Sequence, residues 1–257
     1  MKITSAQEMA VQQHPYRTDW TIDGLTIGSA MVVALTASAV DNNLSGLSIS
    51  EINGLNKNQI NPIDRVTAGL YSKTQSKISD VLVGGAIVSP LLLLFDDHAG
   101  KDVGTISTMY LETVLFSTFV PSYGKGAAKR IRPYAYGSKA LLSDKQDADT
   151  RRSFFSGHAT WAFSTTMFFA NVYTDYHPDT PYKEYIWGGA IGLASAVSIL
   201  RITSGAHFLS DVIVGAAVGS TIGYTIPYIH RNTTTKLSFQ PLILPDYHGM
   251  VFSYRIE

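Results

Sequence analysis

Residues 208–229 have the sequence FLSDVIVGAAVGSTIGYTIPYI, a run of apolar and small residues with one early charge, Asp211. As an α-helix this segment would be about 30 Å long, enough to cross the hydrocarbon core of a bilayer. Five further apolar stretches precede it, at residues 22–40, 81–95, 105–122, 159–173 and 186–200. Their length and apolar character predict six helices, so the expected fold class is all-α, with a six-helix core bundle.

These helices could be surrounded by lipid or by water. The first and last stretches are long enough to cross a membrane, but several others are shorter, and Glu112 and Asp211 lie within two of the six. The small-residue runs GGAIGLASAVS and VGAAVGS permit close helix packing in either solvent. We expect a transmembrane bundle, with a soluble bundle as the alternative.

Composition excludes several functional classes. The 257 residues are treated as one domain, because nothing in the composition marks an internal boundary. The 20 basic and 20 acidic residues cancel, so no nucleic-acid partner is expected. Cysteine is absent, which excludes disulfides and thiol chemistry. The N-terminus lacks the residue order of a cleavable secretion signal, so we expect either export without cleavage or a mature or trimmed form. The mean hydropathy of +0.08 is low for a protein largely embedded in lipid.

Two regions outside the apolar stretches have their own patterns. Residues 41–80 predict one or two short surface helices, with Ser48 or Ser50 as a possible N-cap. The tail at residues 235–257 contains two runs rich in β-forming residues, LSFQPLILP and GMVFSYRIE, separated by a short polar segment. This pattern predicts a small C-terminal β-hairpin.

Three short pieces carry polar residues suited to chemistry: KGAAKRIRP at residues 125–133, SGH at 156–158 and RITSGAHFLSD at 201–211. Each alone has a simpler interpretation, as a solvated basic loop, a helix cap or a pair on a helix surface. However, the first follows the third predicted helix, the second opens the fourth, and the third joins the fifth to the sixth. Because sequential antiparallel helices alternate in direction, the three pieces are expected to converge at one end of the bundle.

The pocket formed in this way would suit a phosphoryl group. Arg132 and Arg201 can donate forked hydrogen bonds to phosphate oxygens, and Lys125 adds a point charge. The backbone N–H groups at the start of the fourth helix would also point at an anion. Gly157 allows the backbone to approach the ligand, and Ser156 can cap that helix or bind a phosphate oxygen directly.

Two histidines and an aspartate could supply the reaction steps. His207 and Asp211 are four residues apart, so they share one face if the last helix begins near His207. Asp211 could then accept from one ring nitrogen and leave the other as a nucleophile. His158 could protonate a leaving alkoxide, and an anionic ligand would keep it protonated beside the three cations.

Together these pieces resemble the three-part signature of the type 2 phosphatidic acid phosphatases: Lys-x6-Arg-Pro, Pro-Ser-Gly-His and Ser-Arg-x5-His-x3-Asp. The spacings agree throughout, and the resemblance covers roughly residues 80–230. Two positions depart from the usual residues, since Phe155 replaces proline and Leu200 replaces serine. Neither position carries the family's catalytic chemistry, so the departures bear on subfamily more than on activity.

The resemblance implies an all-α core and a role for each matching residue. His207 would form a phosphohistidine, His158 would act as general acid and then as base, and Asp211 would orient His207. The phosphate would be bound by Lys125, Arg132, Ser156, Gly157 and Arg201. Neither a metal nor a cofactor is implied.

The superfamily includes six-helix membrane lipid phosphatases, soluble periplasmic acid phosphatases and vanadate-dependent haloperoxidases. We expect a membrane enzyme acting on a phosphorylated lipid, with its site facing the periplasm or exterior of a bacterial-type cell membrane. Counting basic residues on the two sides does not decide that orientation. The alternatives are a soluble periplasmic or secreted phosphatase, a haloperoxidase, and a helical scaffold whose signature is inert.

Overall fold

The computed structural model describes residues 14–41, 44–232, 237–244 and 247–254, and describes side chains for 14–40 and 44–232. Long helices form most of the described chain, which confirms the expected helical class. In chain order they are α1 (Trp20–Asp41), α2 (Lys73–Val88), α3 (Val103–Ala128), α4 (Gly157–Tyr176), α5 (Lys183–Thr203) and α6 (Leu209–Ile229). A 3-10 segment, Ser89–Phe95, extends α2.

Shorter elements connect the long helices. Short α-helices cover Ile49–Gly54, Pro62–Arg65 and Leu142–Lys145. The remaining 3-10 turns are Lys57–Gln59, Ala99–Asp102, Pro133–Tyr136 and Ala148–Arg151. Ser48 caps the first short helix, since its hydroxyl accepts from the Glu51 amide while the Glu51 carboxylate accepts from the Ser48 amide.

Beyond α6 the backbone of the tail forms two strands, β1 (Leu237–Leu244) and β2 (Tyr247–Tyr254). They pair antiparallel, with Leu237 opposite Tyr254 and Leu244 opposite Tyr247.

α4 is the central helix of the bundle. It contacts α2, α3, α5 and α6, and most of its residues are buried. Its hydroxyl side chains bond within the protein, because Thr160 and Thr166 donate to the carbonyls four residues earlier and Ser164 pairs with Ser117 of α3 at 2.7 Å. These bonds allow a helix rich in threonine and serine to be buried without orphaned polar groups at those positions.

Five segments of the described chain are long and apolar enough to cross a membrane: Trp20–Val40, Lys73–Phe95, Ala99–Tyr136, Lys183–Thr203 and Leu209–Ile229. α4 is not among them, so the six-helix transmembrane core remains a prediction. Large apolar side chains point outward along these segments, including Trp20, Leu35, Val81, Phe95, Ile199 and Ile213. An exposed apolar surface of this extent is typical of helices that face lipid.

Glycines let α6 pack directly against the backbone of α4. Gly215, Gly219 and Gly223 are spaced four residues apart and lie on the face of α6 that meets α4. A Cβ atom on Gly219 would lie only 2.4 Å from the carbonyl oxygen of Thr160, and one on Gly215 would lie 2.5 Å from that of Ser156. The two backbones are therefore in contact, which fixes the start of α6 relative to the start of α4.

Candidate active site

The three sequence pieces converge at the end of the bundle where α3 and α5 end and α4 and α6 begin. The turn between α5 and α6 depends on Gly205, which has a φ of 76° and whose Cβ, if present, would lie 1.8 Å from the Leu70 carbonyl oxygen. The amides of Ala206 and His207 then donate to the Arg201 carbonyl at 3.1 and 3.2 Å. This turn places His207 directly before α6 and beside the last turn of α5.

His207 is held with one ring nitrogen bonded and the other facing a cation. Nδ1 donates to the carbonyl oxygen of Ser153 at 2.6 Å, which leaves the lone pair on Nε2. Nε2 lies 3.4 Å from Nη1 of Arg132. The side chain is 1% exposed, and burial lowers the pKa of His207 well below its ordinary value, as do the charges of Arg132, Arg201 and Lys125. Burial and the surrounding cations thus favour the neutral form of this imidazole.

Arg132 is fixed by bonds to two neighbouring segments. Its Nη2 pairs with the Asp149 carboxylate at 2.8 Å, its Nε donates to the Asp149 carbonyl at 2.9 Å, and its Nη1 donates to the Ala206 carbonyl at 2.9 Å. A guanidinium positioned in this way has little freedom left to lose when it binds an anion.

Arg201 is anchored on one nitrogen and unpaired on another. Its Nη1 donates to the Ser76 and Ser79 hydroxyls at 3.0 and 3.2 Å and to the Asp80 carboxylate at 3.2 Å. Its Nε is buried and has no hydrogen-bond partner among the described residues. A buried donor without a partner is costly, and an anion in this pocket would satisfy it.

His158 lies in the first turn of α4, and its ring Nε2 is 2.8 Å from an oxygen of Asp80. Burial and the charge of Arg201 lower the pKa of His158 to about 4, although the hydrogen bond that His158 donates to the Asp80 carboxylate acts in the opposite direction. Its side chain is 31% exposed, so it sits at the mouth of the site. Asp80 contacts His158 and Arg201 at the same time.

The remaining predicted phosphate ligands lie at the start of α4 and the end of α3. Ser156 is the N-cap of α4, where its hydroxyl accepts from the Ala159 amide at 3.3 Å, so the structure shows its capping role. Gly157 is buried, and a Cβ there would lie 3.3 Å from Nζ of Lys125. The ammonium group of Lys125 is therefore beside the N-terminus of α4.

The structure corrects the contact expected for Asp211. Its nearest oxygen is 3.9 Å from Nδ1 of His207, too far for a hydrogen bond, and the Ser153 carbonyl is the acceptor instead. The Asp211 carboxylate accepts from the Phe208 amide at 2.9 Å, from the Ser153 hydroxyl at 2.5 Å and from Arg130. Because Asp211 is the third residue of α6, its carboxylate points back to cap the start of that helix and is linked to His207 only through Ser153.

Several residues of this site were not predicted from the sequence. Arg130 lies over the Phe208 ring at 4.2 Å and bridges Asp211 to Asp64, whose oxygen is 2.7 Å from Nη2 of Arg130. Burial would raise the pKa of Asp64, but hydrogen bonds from Arg130 and Ser210 outweigh it and lower the pKa to about 2. The other unpredicted residues are Ser76, Ser79, Asp80, Asp149 and Ser153. Arg130 lies within the KGAAKRIRP piece but is not one of its signature positions, and no local pattern distinguishes the others.

A cavity of about 490 Å³ opens beside the two arginines. Its lining is polar, with hydroxyl and carboxylate groups contributed by Tyr71, Ser76, Tyr134, Asp144, Asp147 and Asp149. The cavity offers space for a polar group attached to a bound phosphate.

Comparison of the chain with known protein families identifies one family. The model of the PAP2 superfamily matches residues 107–235, a range that runs from α3 to just past α6 and holds all eight predicted site residues. No curated protein and no solved structure matches the chain. Since the matched range makes up half of the sequence, the chain belongs to the PAP2 superfamily.

Proposed function

We propose that this protein is a membrane phosphatase that hydrolyses a phosphomonoester or diphosphate of a lipid through a phosphohistidine on His207. The observation that carries this proposal is the geometry of His207, a buried imidazole whose Nε2 faces Arg132 while its Nδ1 donates to the Ser153 carbonyl. An activated nitrogen next to fixed cations is suited to attack on phosphorus.

In the first step the Nε2 lone pair of His207 attacks phosphorus, an N–P bond forms and the ester P–O bond breaks. His158 in its protonated form gives its proton to the leaving alkoxide. In the second step water attacks the phosphohistidine, the N–P bond breaks, and the water's proton passes to His158. Inorganic phosphate leaves and His207 is regenerated. No metal takes part in either step.

The cations would stabilise the negative charge that spreads over the three equatorial oxygens of the transition state. Arg132 is already oriented by Asp149, and Arg201 has a buried Nε that no described residue satisfies. Lys125, in the last turn of α3, lies beside the N-terminus of α4 and would add a third positive charge. A dianionic phosphate would offset the charges that lower the pKa of His158, so substrate binding itself would help to protonate the general acid.

A lipid substrate is favoured by the surroundings of the site. Five apolar segments and the exposed apolar side chains along them would place the molecule in a bilayer, and the polar cavity beside the arginines would then receive a lipid headgroup. We propose that this end of the bundle faces the periplasm or the exterior.

The test is phosphate release in EDTA and mild detergent, from a long-chain lipid phosphate and from a water-soluble phosphomonoester. His207→Ala should lower the rate by about 10⁴-fold or more, because the covalent route is lost. His98→Ala, an exposed histidine between α2 and α3, is the matched control and should retain full activity. In the wild type, rapid quenching should trap an acid-labile, base-stable phosphoenzyme that His207→Ala does not form.

Normal turnover by a folded His207→Ala protein would rule out the nucleophile assignment. Equal or better use of the water-soluble ester would favour the soluble acid phosphatase alternative over a lipid phosphatase.

A further inference from the structure

A second cluster of titratable side chains lies at the opposite end of the bundle. It consists of Asp23 near the start of α1, Glu112 within α3 and His230 directly after α6. One ligand atom from each residue lies within 4.8 Å of the others. Because His207 precedes the other end of α6, about 30 Å of helix separates this cluster from the proposed active site.

His230 is oriented toward the two carboxylates. Its Nδ1 donates to the Ile226 carbonyl at 2.8 Å, so Nε2 points into the cluster. Nε2 is 2.8 Å from an oxygen of Asp23 and 3.5 Å from an oxygen of Glu112. A backbone acceptor on the far nitrogen is the usual arrangement of a metal-ligating histidine, because it fixes the ring and the tautomer.

If the cluster were only a structural ion pair, the environment of Glu112 would be unexplained. Its side chain is fully buried, and neither carboxylate oxygen has a hydrogen-bond partner within the part of the chain that the structure describes. A proton on Nε2 of His230 would form a hydrogen bond with Asp23, which is at hydrogen-bond distance. It would leave the Glu112 carboxylate without a hydrogen-bond donor. Burying a charged carboxylate without a hydrogen-bond partner is strongly unfavourable.

A divalent cation would satisfy all three groups at once. Two carboxylates and a neutral imidazole carry a total charge of minus two, so one doubly charged ion makes the cluster neutral in its low-dielectric surroundings. We propose that Asp23, Glu112 and His230 bind one divalent metal ion of the zinc class, which joins α1, α3 and the end of α6. The ion is structural and takes no part in phosphate hydrolysis.

The combination of one nitrogen donor with carboxylate oxygens indicates which class of metal ion the cluster would bind. Imidazole nitrogen favours zinc and its first-row neighbours over magnesium and calcium, which prefer oxygen alone. In a tetrahedral zinc site, donor atoms about 2.0–2.2 Å from the ion are about 3.4 Å from each other. The separation between Glu112 and His230 is 3.5 Å, which fits, and Asp23 would have to move away from His230 by about half an ångström.

The test uses the full-length protein in detergent, stripped with EDTA and freed of chelator. Titration with Co²⁺ should give visible d–d absorption that saturates at one equivalent, and Zn²⁺ should displace it and raise Tm. Glu112→Gln keeps the shape of the side chain but removes its charge, and should weaken metal binding by about a hundredfold or more and abolish the Zn²⁺-dependent rise in Tm. Asp23→Asn should behave in the same way and serves if Glu112→Gln does not fold.

The control is a double variant, His98→Ala with His177→Ala. It removes the other group of metal-ligand type among the described residues, which these histidines form with Asp96, and it should bind Co²⁺ as the wild type does. The proposal is overturned if the wild type gives no d–d band, if Glu112→Gln gives the same band, or if the band disappears in the double variant. In the first two cases protons, and not a metal, neutralise the cluster.

This test is independent of the proposed phosphatase activity. Metal-free protein assayed well below its Tm should release phosphate at the wild-type rate, because His207 and its cations lie at the other end of the bundle. Loss of activity on metal removal at that temperature would contradict the structural role.

Discussion

At the scale of single residues, Asp80 brings a negative charge into a site built from cations. It accepts from His158 and Arg201 together, at 2.8 and 3.2 Å. A substrate phosphate would compete with this carboxylate for the same two partners. Asp80 therefore takes the place of the substrate phosphate while no substrate is bound. It also keeps the pKa of His158 higher than burial alone would leave it.

Asp80→Asn tests this role through the pH dependence of the reaction. Loss of the carboxylate removes an interaction that raises the pKa of His158, so the protonated acid should disappear at lower pH. We expect the basic limb of the kcat/KM profile to move down by about one pH unit, while the kcat profile moves less because bound phosphate replaces Asp80. Asp97→Asn, at an exposed position between α2 and α3, is the control. Superimposable profiles for wild type and Asp80→Asn would contradict this role.

Ser153→Ala tests whether Asp211 acts through Ser153. The variant removes the hydroxyl that binds Asp211 but keeps the carbonyl that holds Nδ1 of His207. With the carbonyl less firmly placed, kcat should fall about tenfold with little change in KM, and stability should drop by about 1 kcal/mol. Steady-state kinetics and chemical unfolding measure the two effects. Undiminished kcat in Ser153→Ala would indicate that Asp211 orients His207 directly during turnover.

The sequence could supply the eight signature residues because their spacing along single segments is visible without a structure. It could not supply the partners that position them. Asp80 lies in α2, whereas Asp149 and Ser153 lie in the connection between α3 and α4, and serines and aspartates at such positions are common. The predicted contact between Asp211 and His207 was wrong for a related reason. Four-residue spacing places two side chains on one helix face, but it does not show which acceptor lies nearer to the His207 ring nitrogen.

At the scale of elements, the contact between α4 and α6 determines where the catalytic groups lie. His158 follows the start of one helix and His207 precedes the other, so the gap between the backbones sets the gap between the two histidines. The small-residue pattern of VGAAVGS in α6 indicated close packing from the sequence, but only the structure shows that α4 is the partner.

Gly219→Ala should disturb that contact. The new Cβ would lie 2.4 Å from the Thr160 carbonyl oxygen, which is backbone and cannot rotate away. The helices must separate, so we expect a loss of about 1–3 kcal/mol in stability and a lower kcat. Gly192→Ala in α5 is the matched control, since a Cβ there would meet no described atom within 4 Å apart from its chain neighbours and the backbone of its own helix, and it should be neutral or stabilising by up to about 1 kcal/mol. Thermal unfolding and phosphate release should separate the two variants, and equal behaviour would argue against the close contact.

At the scale of the whole molecule, the exposed apolar side chains along five segments predict how the protein partitions. It should sediment with membranes, stay there in high salt and alkaline carbonate, and dissolve only in detergent. Fractionation followed by immunoblotting measures this. Release into buffer without detergent would contradict the membrane assignment and favour the soluble alternative.

The overall helical class and the positions of the apolar helices followed from the sequence because they depend on local length and composition. The number of segments that could cross a membrane could not be predicted from the sequence. An apolar stretch looks similar in sequence whether lipid or protein surrounds it. The structure distinguishes these cases for α4, which is enclosed by four other helices.

The enclosure of α4 also has a consequence for biosynthesis. A nascent helix with this many threonine and serine side chains has little tendency to leave a translocation channel for lipid by itself. It would enter the bilayer only when α3 is already present to receive it and when α5 and α6 follow to cover it. Ribosome-bound chains that end just after Tyr176 should therefore leave this helix outside the membrane or still inside the channel, and its final placement should coincide with the emergence of the last two helices. The helix that carries His158 would then be among the last parts of the molecule to reach its place, so catalytic competence would appear only when synthesis is nearly complete.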